Sequence, residues 1–277
     1  MNAIGIVGPG RAGVGLGLAL SRSGHTVFIH GRRPKALPAP LELSWGGIPP
    51  WLDRVQTILL AVPDDALPPL IEELARSGRV GPEHTVLHLS GVLDWSVLAP
   101  LAGSGAALGS LHPLQSLADP LRVPELLRGA VAAVEGDPRA VERAGDLARS
   151  LGLRPVEVPS SGKVIYHAGA VFAANYLVVV GAIAERLLVE AGFGSSEARA
   201  ALTPLIAGSV ENLREKGPRA LTGPVARGDA DTVRMHLATL PRDLVEPYRA
   251  LARAALEIAE LSEEKKRAIE EALAANR

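Results

Sequence analysis

The 277-residue sequence contains no cysteine. That excludes a disulfide framework, cysteine-ligated zinc, iron–sulfur ligation and any thiol nucleophile. Aromatic residues are only 3% of the chain, and lysine is scarce, five against 24 arginines. No charge of either sign dominates. The formal net charge is −1, so there is no basic surplus of the kind that marks a nucleic-acid partner. A hydrophobic run of spanning length is also missing. Residues 168–184 carry no charge but number 17, short of the ~20 a membrane helix needs. They include Asn175 and run into Glu185 and Arg186, which reads as a buried core helix with no membrane partner. Residues 1–20 lack a basic n-region, carry Arg11 and are broken by six glycines, so they do not read as a targeting segment. What is present is a globular composition, 47% hydrophobic and 21% charged. The length fits two domains of roughly 150 residues each, and the expected compartment is cytoplasmic.

The first half alternates short apolar runs with helical segments. Strands are expected at residues 3–7, 26–30, 55–62, 85–89, 106–111, 130–134 and 154–158. Helices are expected at 13–23, 64–77 (with Asp64 and Asp65 as caps) and 139–151. Continuous apolar strands alternating with helices predict an α/β domain, a doubly wound and mostly parallel sheet covered on both faces. After Pro159 the strand signal stops. Residues 163–191 read as one long helix, 195–216 as another, 221–228 as a Gly/Pro loop, and 229–240, 243–261 and 263–276 as three shorter helices. The division expected is 1–158, a nucleotide-binding α/β domain, and 159–277, an all-α domain.

Gly8-Pro9-Gly10-Arg11-Ala12-Gly13 matches G-x-G-x-x-G between a strand and a helix, the context that gives the motif its meaning. Gly8 allows a tight turn, Gly10 lets the backbone approach a pyrophosphate, and Gly13 lets the helix pack closely. The unpaired N–H groups and positive dipole end of that helix hold the anion, with Arg11 and Ala12 in the same turn. An NAD site places an acidic residue at the end of the second strand. Here that position reads His30-Gly31-Arg32-Arg33, with no carboxylate between His25 and Leu41. Two guanidiniums suit the 2′-phosphate of NADP(H), which they can grip bidentately. Ala61, Val62 and Pro63 end one further strand and Ser90 follows another, where ligands of open α/β sheets collect.

Histidine is the natural proton handler here, because its ordinary pKa lies near ~6.5. His112 follows a buried strand, beside Gln115, a candidate substrate contact. His167 and Asn175 share a broad face of the long helix, and Lys163 stands at its start, where a cation fits only near an anion. Arg227 could hold a substrate carboxylate, and Asp229 could cap the helix after it. His84 and His88 point to one side of a strand, but no acidic residues stand at ligand spacing, so no metal is expected.

The segments 8–13, 61–64, 88–91, 111–116, 166–176 and 221–229 resemble those of two-domain Rossmann-like NADP-binding proteins with a C-terminal helical domain of unknown function. That family is similar to ketopantoate reductase, pyrroline-carboxylate reductase and the 6-phosphogluconate and 3-hydroxyacid dehydrogenases. The resemblance implies an oxidoreductase using NADP(H) on a small keto or imino acid. It also implies a helical domain like the C-terminal domain of 6-phosphogluconate dehydrogenase, and a homodimer. His112-Pro113 is similar to the His-Pro of prephenate dehydrogenases, and an F420-dependent NADP reductase would share the first domain. The hydroxyacid dehydrogenases carry a lysine four residues before the helix asparagine. The corresponding residue here is Val171, so His112 or His167 would handle the proton, and a non-catalytic NADP(H)-binding regulatory role is the competing expectation.

Overall fold

The computed structural model describes residues 3–275 and divides into two compact units, up to Leu177 and from Val178. The first unit runs β1 (Ala3–Val7), α1 (Arg11–Arg22), β2 (Thr26–Gly31), β3 (Leu43–Trp45), β4 (Thr57–Leu60), α2 (Leu67–Ser77), β5 (Thr85–His88), β6 (Ala107–Pro113), α3 (Val123–Leu126), β7 (Val131–Gly136), α4 (Pro138–Ser150), β8 (Arg154–Glu157) and α5 (Lys163–Ala170). The strands form one sheet in the order β3-β2-β1-β4-β5-β6-β7-β8. All neighbours are parallel except β6 and β7. This is the doubly wound, mostly parallel sheet that the alternating pattern implied.

The apolar run of β4 shows why such strands read as continuous. Ile58 and Leu60 pack into one core with Leu67, Ile71 and Leu74 of α2. Leu59, on the opposite face, joins Leu16 and Leu20 of α1 and Ala140 and Ala144 of α4. Both faces of the strand are covered, so no polar residue can alternate in. Each such leucine contributes ~1.5–3 kcal/mol on burial.

Four local features differ from the sequence reading. β3 was not anticipated, being three residues long at the sheet edge, too short to show a period of two. Asp64 and Asp65 do not cap α2. They form a short 3₁₀ turn, and α2 starts at Leu67 with no side-chain cap. β6 continues beyond residue 111, because its antiparallel ladder with β7 pairs His112 with Ala133 and Pro113 with Ala132. The long helix is interrupted: α5 passes through a π-helical turn, Val171–Asn175, into α6 (Tyr176–Glu190).

That helix is not buried within the single chain, as its apolar composition suggested. Phe172 is 69% exposed and Val178 72%, and the span Ser160–Glu190 is long and apolar enough to cross a membrane. The compact units divide within it, at 177/178 instead of 158/159. The sheet does end at Glu157, but α5 is tied onto the sheet by its side chains.

The second unit continues from α6 through α7 (Ser195–Lys216), α8 (Pro224–Arg227), α9 (Ala230–Thr239), α10 (Arg242–Ile258) and α11 (Glu263–Ala274). Its small core gathers Val225, Val233, Leu237, Leu256, Ile269 and Leu273. Arg199 on α7 pairs with Glu185, and Arg186 with Asp243, holding α6 to α7 and α10. Asp229 caps α9 by accepting from the Thr232 N–H at 3.1 Å. α8 is a single turn inside the span read as a loop, and the expected end of the last helix at Asn276 lies outside the described residues.

Candidate active site

The carboxyl ends of β2, β1, β4 and β5 meet along one rim of the sheet. Gly8 N–H donates to the His30 carbonyl, Ala61 N–H to the Val7 carbonyl and Leu89 N–H to the Leu60 carbonyl. β1 lies between β2 and β4, so the winding reverses at this point, where open α/β sheets leave a crevice.

Each glycine of the turn has its own geometric reason. Gly8 has φ +116°, and a side chain there would collide with the Ala61 carbonyl. A side chain at Gly13 would collide with the Gly8 carbonyl, so the start of α1 can press against the turn only as glycine. Gly10 has no atom within 4 Å of where a Cβ would stand. It is also the N-cap of α1 and makes no side-chain cap, which leaves first-turn N–H groups free for an anion. Arg11 at the helix start is exposed and Ala12 half-buried. Arg32 and Arg33 stand exposed directly after β2, and Val62 and Pro63 follow β4 on the same rim. Lys35 adds a cation that sequence reasoning missed, its Nζ donating to the Pro9 carbonyl at 2.9 Å. Strained turn, open glycine, free helix N-terminus and nearby guanidiniums together fit a dinucleotide phosphate.

One rim segment further along, His112, Tyr166 and His167 come together. The His112 and His167 rings lie 6.1 Å apart, and the Tyr166 ring stands edge-on to His112 at 5.6 Å. His112 Nδ1 and the Tyr166 hydroxyl share a hydrogen bond of 2.9 Å. All three line a cleft of about 480 Å³, together with Gln115, Val171 and Asn175. Gly91, just past β5, is what lets the two imidazoles approach. A Cβ there would stand 2.5 Å from His167 Cδ2 and 2.8 Å from His112 Nε2. Burial, helped by the Lys163 and His167 charges, pushes His112 down to about 4, so it is neutral at pH 7. Burial pushes Tyr166 up to about 12, so the phenol keeps its proton. His88, fully buried behind them, is also pushed down to about 4, by burial first and then by Lys163. Its Nδ1 accepts from the Ser90 N–H, and the Asp94 backbone partly opposes the shift.

The cleft unites His112, His167, Asn175 and Gln115 of the expected site residues, with corrections. Asn175 is exposed on the wall, at the end of the π turn, and not a buried amide. Gln115 is engaged at both ends, its Nε2 donating to the Leu126 carbonyl and its Oε1 accepting from Ser116 N–H, so it fixes a loop. The Ser90 hydroxyl accepts from Val92 and Leu93 N–H and closes the turn after β5. Lys163 does not face a substrate. It is 1% exposed, donates to the Ser90 carbonyl and Ser110 Oγ at 3.0 Å each, and lies 3.3 Å from Glu135 Oε1, which accounts for its three N–H bonds. Its position at a helix start makes sense because the anion is a buried glutamate on β7. Arg227 lies exposed at the end of α8 in the second unit, where its carbonyl accepts from Lys265. His84 is consumed by its neighbours, through Gly81 N–H and the Leu52 carbonyl.

Besides Lys35, sequence reasoning missed Tyr166, Gly91 and Glu135. Tyr166 lay inside a segment valued only for resemblance. Glu135 sat in an apolar run where a lone carboxylate was itself the signal, since a buried charge needs a partner.

Comparison with known proteins fits this geometry. No curated protein matches the chain. Among solved structures, a candidate NADP oxidoreductase of Bacteroides fragilis superposes with a TM-score of 0.75 at 21% identity, covering 92% of this chain and 98% of that one. Pyrroline carboxylate reductase of Plasmodium falciparum, with NADP bound, gives 0.65 at 14% identity, covering 97% and 98%. An imine reductase variant of Myxococcus stipitatus with NAD+ gives 0.58 at 17%, covering 93% and 92%. At these identities the likeness is one of fold. Residues 47–113 match a Rossmann-like domain and residues 130–255 the domain of unknown function DUF2520. The chain therefore carries a Rossmann-like domain followed by a DUF2520 domain.

Proposed function

We propose that the protein is an NADP(H)-dependent reductase of a small keto or imino acid. The observation that carries this reading is the His112–Tyr166–His167 cluster on the wall of a 480 Å³ cleft, on the rim that also holds the glycine turn. A bound nicotinamide would supply the hydride; the protein supplies position, water exclusion and the proton. Gly8, Gly10, Ala12 and Gly13 hold the pyrophosphate by backbone N–H groups, with Arg11 beside them. Arg32 and Arg33 take the 2′-phosphate and set the preference for NADP(H) over NAD(H).

Reduction of a C=N or C=O bond leaves a nitrogen or oxygen that needs a proton. In this reading the Tyr166 hydroxyl donates to His112 Nδ1, which fixes the tautomer with a proton on Nε2. That atom lies beside Gly91. When Nε2 gives its proton to the product, Nδ1 takes one from Tyr166, and the phenolate left behind, a strong base because burial pushes its pKa up to about 12, regains its proton from solvent entering the cleft. His167 is the second candidate donor, and Asn175 on the cleft wall orients the substrate carbonyl.

The exposed apolar stretch around Phe172, Tyr176 and Val178 is the face through which two copies pair, with no membrane and a cytoplasmic location. Its first turns belong to the folded sheet unit through Lys163, which a membrane span could not keep.

The test follows NADPH absorbance across a panel of small keto and imino acids. Turnover that disappears in His112→Ala or His167→Ala supports the reading. Tight NADPH binding with no oxidation across the panel overturns it in favour of a regulatory nucleotide-binding protein, the reading that Val171 in the lysine position favours. Equal affinity for NADH and NADPH refutes the role given to Arg32 and Arg33.

A further inference from the structure

The buried lysine and glutamate lie outside the reaction just described, and their placement is unusual. Lys163 and Glu135 are 1% and 3% exposed. Ion pairs this deep are weak contributors to stability, because the desolvation cost rivals the attraction. Every other ion pair among the described residues has at least one exposed partner. The pair joins four elements. Glu135 on β7 accepts from Ser110 on β6 at 3.2 Å and from Ser160, just before α5, at 2.8 Å. Lys163 in the first turn of α5 closes the network and reaches the Ser90 carbonyl after β5.

Two consequences meet at one place. Ser90 is the residue before Gly91, on which both imidazoles rest. Tyr166 and His167 follow Lys163 by three and four residues, so they share its helix face. We propose that Lys163, held by Glu135, is the positioning residue of this cleft: it fixes the Ser90–Gly91 backbone and the start of α5 against His112. This rests on the reading of His112 as the proton-handling group.

The groups facing His112 are few. On the helix side they are Lys163, Tyr166 and His167, and on the β5 side His88. Burial lowers the pKa of Lys163, opposed chiefly by Glu135. Asp64 and Asp94 act on Lys163, and Asp94 also on His88.

The test needs no turnover, so its failure is distinct from failure of the proposed reaction. Two double variants of the full chain replace the charged pair by neutral side chains, Lys163→Met/Glu135→Gln and Lys163→Gln/Glu135→Gln. A swap of both partners avoids an uncompensated buried charge. Histidine-selective NMR reads the His112 titration midpoint. It rises from about 4 in the parent by at least about one pH unit towards the ordinary value in both variants. Amide hydrogen exchange reads the anchor: Val92 and Leu93, which donate to the Ser90 hydroxyl, exchange at least about tenfold faster in the methionine variant. A midpoint unmoved in whichever variant folds overturns the claim that this pair sets the surroundings of His112. Unchanged exchange at Val92 and Leu93 overturns the anchoring.

Discussion

Gly91→Ala isolates the packing of the two imidazoles with the smallest possible change. The added methyl would stand 2.5 Å from His167 Cδ2 and 2.8 and 3.0 Å from His112 Nε2 and Cε1. Carbon atoms rest about 3.5–4.0 Å apart, so a ring must retreat by roughly 1 Å. His112 is tied to Tyr166 and sits in a strand, whereas His167 is a half-buried helix side chain with room to turn. His167 therefore gives way first, and His112 shifts less. Because a side chain can yield, the stability cost falls at the low end of the overpacking range, about 1 kcal/mol. The catalytic cost is larger. A misplacement of ~1 Å at a reacting centre removes about 10²-fold in rate, about 2.7 kcal/mol of barrier. NADPH affinity stays put, since the glycine turn that would hold it lies at the end of a different strand, β1. The assay pairs NADPH titration by fluorescence with turnover on the best substrate of the panel, and a thermal melt reports folding. Turnover within about threefold of the parent would refute the claim that these rings are set by contact with Gly91. Loss of NADPH affinity in parallel with turnover would refute the separation of cofactor turn from cleft.

Further outcomes can be checked. Gly8→Ala forces a side chain into φ +116° and into the Ala61 carbonyl, so it lowers stability by ~1–3 kcal/mol in urea unfolding. Gly10→Ala meets no protein atom, so the melt is unchanged while NADPH affinity falls, and the reverse pattern would undo the role assigned to each glycine. Tyr166→Phe removes the phenol that donates to His112; turnover drops by about 10–10²-fold with NADPH binding intact, and an unchanged rate would exclude the relay. The folded pKa of His88 is about 4, below its unfolded value near 6.5. The unfolded chain then binds a proton that the native state refuses, so stability is full above pH 6.5 and falls from there towards pH 4, by up to ~3 kcal/mol. Urea midpoints between pH 6.5 and 5, above the carboxylate range, fall in the parent and fall less in His88→Phe. Light scattering of the parent and of Val178→Glu gives a dimer and a monomer; a monomeric parent at micromolar concentration rejects pairing through that face.

Local rules made the sheet legible because its strands are buried on both sides and its turns need particular residues. The run from Val55 to Val62 reads as a strand covered on two faces, and the glycine turn can be assigned residue by residue from its motif. What the sequence concealed depends on distances between remote segments. Nothing near residue 91 announces that residues 112 and 167 will rest on it, 21 and 76 positions away. Lys163 illustrates the limit in the other direction. Its position at a helix start correctly implied a nearby anion, but one-dimensional reasoning could not say whether that anion was a ligand or a side chain, and the answer was Glu135. The same limit explains the long helix. Its uncharged stretch reads as a buried core helix, yet within one chain Val178, Val179 and Val180 are exposed. The apolar composition is a demand for cover that the single chain does not meet. Burying three valines and a phenylalanine from each copy contributes about 1.5–3 kcal/mol per side chain. That is large against the 5–15 kcal/mol stability of an ordinary domain. A sequence selected only to fold as one chain would place polar residues on that face, so its retention of Phe172, Tyr176 and the valine run is the strongest reason to measure assembly before activity.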